Sequence, residues 1–170
     1  MNQDQSTGFA VVTGAPSADL RSFEGVEELH GAIRSTNQGR ILFTASIAAE
    51  APGPFEAVYA ASQAFVLSFA EAIRNELKDT GIVITALQPG ATETNFFHRA
   101  GMDDTKVATS RKSDPAEVAR RGFEALMHGK DHVVAAIAKE EAQVAMSHVS
   151  PGTASAEVHR KLAEPGSAEN

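Results

Sequence analysis

The chain has 170 residues, of which 42% are hydrophobic; this suits one compact domain burying roughly 70% of the surface its unfolded form exposes. Its 15 basic and 22 acidic residues give a formal charge of -7, which argues against a nucleic-acid surface or an anionic-membrane patch and favours a small molecule or a protein as partner. There is no cysteine for disulfide or thiol chemistry, and no apolar run approaches the ~18 to 20 residues that span a bilayer, so we expect a soluble, cytoplasmic protein.

The run Phe-Ala-Val-Val-Thr over 9–13, broken by Gly14, reads as a buried parallel strand ending in a turn. A short helix follows, with Ser22 placed to cap it and Val26, Leu29 and Ile33 on one face. A polar connection over 35–40 leads into a second strand over 41–44, which ends at Ala45-Ser46; Pro52, Gly53 and Pro54 then mark a loop. Over 56–78, Ala61, Ala64, Phe65, Ser68, Phe69, Ala72 and Ile73 recur at steps of three and four, the pattern of a long amphipathic helix that Gly81 stops. A third strand over 82–87 closes at Pro89-Gly90, and 91–104 reads as loop with a turn of helix.

Asp114-Pro115-Ala116-Glu117 is a helix start with Asp at the cap, Pro at the first helical position and Glu placed to complete a capping box; that helix ends at Gly129. A fourth strand is expected over 133–137, then a helical or irregular remainder with a frayed tail over 165–170. Strands alternating with helices predict an α/β fold: a single reduced Rossmann-like domain over 1–170, with a parallel sheet of about four strands flanked by helices and its ligand at the carboxyl ends of the strands.

Ser46 alone would be a turn hydroxyl, and Tyr59, the one tyrosine, would be a packed ring with a wet hydroxyl. Their order and spacing say more. Gly39-Arg40-Ile41-Leu42-Phe43-Thr44-Ala45-Ser46, twelve residues, Tyr59-Ala60-Ala61-Ser62-Gln63, and then Pro89-Gly90-Ala91-Thr92-Glu93-Thr94 resemble the short-chain dehydrogenase/reductase family, whose pattern is Ser, twelve residues, Tyr-x-x-Ser-Lys and a later Pro-Gly-x-x-x-Thr. The resemblance implies hydride transfer between NAD or NADP and a small carbonyl or alcohol, with Tyr59 as general acid/base and Ser46 holding the substrate oxygen. It also implies a homo-oligomer formed through the helix over 56–78.

Gln63 stands where the family has its catalytic lysine. Working as a base near neutrality, a phenol must shift by about 3 pKa units, roughly 4 kcal/mol, and a neutral amide supplies no charge for that. Glutamine can still hydrogen-bond a ribose hydroxyl. The family's catalytic asparagine has no counterpart, and Asn37 does not take its place. Thr13-Gly14 resembles the start of the family's phosphate turn, Asp19 the aspartate that borders the adenine, and Pro89, Gly90, Thr92 and Thr94 the nicotinamide side. Two blocks are missing by comparison, one between Gly14 and Ala18, the other between Ile33 and Asn37. The expected function is therefore an impaired oxidoreductase; the alternative is a non-catalytic remnant serving as a binding or oligomerisation module. His128 and His132 flank Gly129 and share no helical face, so no metal site is expected.

Overall fold

The computed structural model describes residues 9–13, as backbone, and 38–169. Strands β1 (Phe9–Thr13), β2 (Gln38–Thr44), β3 (Gly81–Pro89) and β4 (His132–Ala135) form a parallel sheet in the order β1, β2, β3, β4. Thr13 pairs with Thr44 and Thr44 with Leu87, so β1 and β2 end level while β3 runs two residues further, to Pro89. Helix α1 (Ala57–Glu76) joins β2 to β3; α2 (Phe96–Arg99), α3 (Lys106–Thr109) and α4 (Pro115–Met127) join β3 to β4; α5 (Ala138–Ser147) and α6 (Gly152–Ala163) follow the sheet.

Strand alternation gives the sheet two apolar faces. Ile41, Phe43, Ile84 and Ala86 meet Val66, Ala70 and Ile73 of α1, while Leu42, Leu87 and Ala135 meet Val118 and Leu126 of α4. Each of the large side chains buried here contributes roughly 1.5–3 kcal/mol over leaving it exposed. Helix α4 closes tightly on β3 at Gly122, where an added Cβ would stand 2.8 Å from Leu87 Cδ2. Two polar groups against this core are paired: Thr85 Oγ1, fully buried, donates to Lys130 O at 2.6 Å, and Arg40 Nη1 donates to Leu126 O at 3.1 Å among the last carbonyls of α4.

The expected parallel α/β sheet is the one found, and β1 pairs directly with β2. Three details differ from the sequence reading. The buried stripe of α1 is Ala60, Gln63, Val66, Ala70 and Ile73, displaced from the predicted one, and Ala61, Phe65, Ser68 and Ala72 are exposed; small and aromatic residues surround this helix on several faces, so periodicity alone selects the wrong one. Asp114 caps α4 as expected, accepting from Ala116 N and Glu117 N, but Glu117 turns outward to Arg120 instead of closing the box. The end of the chain, expected to fray, is held: Gly166 N donates to Asp104 Oδ2 at 2.7 Å, Ala168 N to Asp104 O, and buried Ser167 accepts from Lys106 N at 2.9 Å. The predicted helix after Gly14 lies outside the described residues, as do Gly14 and Asp19.

Candidate active site

β2 delivers Ser46 to the carboxyl edge of the sheet. Its hydroxyl accepts from Ala48 N at 3.1 Å, capping the short 3-10 turn Ile47–Glu50, and only 9% of its surface is exposed. The chain then reverses through Pro52–Pro54 and enters α1, whose first turn carries Tyr59. The phenol lines the same cavity as Ser46, and its ring lies 5.3 Å from that of Phe96 in α2. Burial pushes the Tyr59 pKa above the ordinary phenol value; the Ser46 hydroxyl pulls it back, and the negative charge of Glu56 adds to the rise. Near neutrality Tyr59 is therefore a protonated hydroxyl, a donor rather than a base.

One turn further along α1, Gln63 is 3% exposed, and its Oε1 is buried without a hydrogen-bond partner. Such an oxygen costs about 1–3 kcal/mol until something donates to it. The sequence places Gln63 correctly on the helix but does not reveal that its oxygen is orphaned.

Ser46 and Tyr59 open into a cavity of about 540 Å³ at the ends of β2, β3 and β4, which Pro89, Gly90, Thr92 and Thr94 also line. Thr92 Oγ1 donates to Gly90 O at 2.9 Å, and Thr94 Oγ1 accepts from Phe96 N at 3.3 Å, so both hydroxyls brace the turn after β3. The space beside Gly90 is occupied from within the protein: a Cβ there would lie 2.1 Å from Glu140 Oε2. The Glu140 carboxylate accepts from Ala91 N at 3.1 Å and Ile137 N at 3.3 Å, tying α5 to this turn, and burial raises its pKa despite those two donors. Thr13 ends β1 directly opposite Thr44, a cavity-lining residue. Sequence analysis thus brings Ser46, Tyr59, Pro89, Gly90, Thr92 and Thr94 to one cavity, with Gln63 one helical turn away.

Several residues of the site had no sequence signal. Glu56, three positions before Tyr59, is one, and so is its partner: His159 of α6 meets Glu56 Oε2 at 2.8 Å, a contact across 103 residues. Likewise His148, at the end of α5, meets Glu50 Oε2 at 2.9 Å, and Glu50 Oε1 accepts from buried Gln88. Two His–Glu contacts therefore fasten the α5–α6 hairpin over the Ser46–Tyr59 ledge. Among the described residues no cluster of His, Asp or Glu could hold a metal ion, and no helix is long and apolar enough to cross a membrane.

The sequence model of the short chain dehydrogenases matches residues 22–105. Dehydrogenase/reductase SDR family member 7B of Bos taurus is 28% identical over 159 residues, covering 84% of this chain and 48% of the relative. The 17-beta-hydroxysteroid dehydrogenase type 3 of Mus musculus is 40% identical over 76 residues, covering 45% of this chain and 25% of the relative. Among solved structures, a short chain dehydrogenase from Burkholderia cenocepacia in complex with NADP superimposes with a TM-score of 0.65 at 20% identity, over 91% of this chain and 70% of the other, a likeness of fold. The chain spans less than half the length of the curated relatives it matches.

Proposed function

Because the chain belongs to the short-chain dehydrogenase/reductase family, covering part of a full member, we propose that its cavity is a carbonyl-reducing site served by NAD or NADP, slow because Gln63 is neutral. The observation that carries this reading is that Ser46 and the half-buried Tyr59 line one cavity at the carboxyl ends of the strands. A bound nicotinamide supplies the hydride. Ser46 donates to the substrate carbonyl and fixes its oxygen beside Tyr59, which gives up its proton as the oxygen gains charge. The phenolate left behind is unstabilised by Gln63 and faces Glu56, so this step is costly, and the reverse reaction, which needs the phenolate as base, is disfavoured further.

The orphaned Gln63 Oε1 has the chemistry to accept from a ribose hydroxyl, but it is buried off the cavity and would meet one only after its side chain turned toward the opening. Thr92 and Thr94 would border the nicotinamide, with Thr13 on the phosphate side. NADP in the Burkholderia structure supports a nicotinamide dinucleotide as the ligand. A second reading, a module that binds or oligomerises without turnover, is favoured by the outward face of α1, where Val58 is 86% and Phe65 47% exposed. That face would pair with its copy in a homo-oligomer.

Titration with NADPH and NADH tests the reading. Tyr59 is the one tyrosine and there is no tryptophan, so intrinsic emission reports the site itself. Quenching that saturates with a dissociation constant below about 1 mM supports the proposal; absence of any response at that concentration defeats it.

A further inference from the structure

Beyond Ser46 and Tyr59 the cavity continues under the α5–α6 hairpin, where its wall changes character. Val144 and Met146 of α5 and Val158 and Leu162 of α6 line it there, with Ile137 leading in from β4. Three of the polar groups near this stretch are committed elsewhere, while Gln143, Ser150 and Ser155 also line the cavity. Ser147 Oγ donates to Val144 O at 2.7 Å, His159 is held by Glu56, and the carboxylate of Glu140 is taken by two backbone N–H groups. The cavity-lining cations Arg111 and Lys139 stand before α4 and in the first turn of α5, whereas Met146 stands in its last turn, roughly 10 Å further on at 1.5 Å per residue. Met146 and Val158 line the cavity yet keep 60% and 49% of their surface exposed, so the hairpin end is open to solvent. One end thus carries the Ser46 and Tyr59 hydroxyls and the other is an open, mainly apolar slot. A small ketone would leave that slot wet, and no charged side chain in it is free to pair with a charged tail.

We propose that the substrate is an amphiphilic ketone or aldehyde whose carbonyl sits at Ser46 and Tyr59 and whose aliphatic tail runs between α5 and α6, leaving past Met146 and Val158. This rests on the reading of the Ser46–Tyr59 end as a carbonyl site. The tail binds by burial, so each methylene placed against the slot strengthens binding by a constant factor.

The test uses the whole chain and a series of methyl ketones from butan-2-one to decan-2-one, followed by Tyr59 emission, in parallel with an NADPH titration. Affinity is expected to rise roughly two- to fourfold per added methylene. Met146→Asp and Val158→Asp, both at half-exposed positions that the fold does not need buried, are expected to flatten that dependence. A flat series in the unaltered chain, or a rise that survives both substitutions, overturns the slot. NADPH binding together with a flat series removes the slot and leaves the reductase reading standing. A rising series without NADPH binding upholds the slot and removes the reductase.

Discussion

The two walls of the cavity are held by different forces. The ledge that carries Ser46 and Tyr59 belongs to the sheet and α1, where Ile73 and Ile84 are 2% and 1% exposed and apolar clusters back β2, β3 and β4. The hairpin that covers it buries Val144 from α5 and Ala163 from α6 and is fastened by two His–Glu hydrogen bonds and the Glu140 carboxylate. Ser46 and Tyr59 thus sit on the rigid wall and the slot proposed above on the loosely held one. Apolar burial over many residues fixes position tightly, whereas a few polar contacts contribute less and allow a cover to open.

That contrast can be broken by substitution. Ile84→Ala should cost about 2–5 kcal/mol of unfolding free energy in urea, and Val144→Ala on the hairpin about 1–2 kcal/mol. Equal losses would mean that the hairpin is as much core as the sheet. Gln63→Met removes the orphaned oxygen at nearly constant volume and should stabilise the chain by about 1 kcal/mol while weakening NADPH binding severalfold. A stability loss would show that Gln63 is already satisfied. His159→Ala should cost less than about 1 kcal/mol in global stability but speed proteolytic cleavage between α5 and α6; unchanged cleavage would locate the fastening elsewhere. Sharpest in meaning is the titration of Tyr59 by phenolate absorbance. Its midpoint should lie above the ordinary value near 10 and fall by at least ~1 unit in Gln63→Lys.

The ledge was legible in the sequence because it is built from local, periodic signals: an apolar strand ending at Ser46, twelve residues, and Tyr59 in the first turn of a helix. Asp114 likewise announced α4, since a cap is a property of four adjacent residues. The cover was not legible. Its anchors join Glu50 to His148 and Glu56 to His159 across about a hundred positions, and neither histidine lies in any pattern. The tail was misjudged for a related reason: Pro165-Gly166-Ser167 has the composition of a frayed end, but Asp104 and Lys106 supply partners that no local window contains. The buried face of α1 was misplaced because a helix of small residues carries several plausible stripes, and contact with β2 and β3 decides among them.

The central claim is that a reductase site is present and held back by one neutral side chain. NADPH-dependent reduction of methyl ketones and aldehydes by the unaltered chain and by Gln63→Lys tests it most directly. The account predicts slow turnover that rises by roughly 100-fold when lysine returns a positive charge beside Tyr59. Turnover at the uncatalysed rate in both chains, with both folded and NADPH bound, would contradict it.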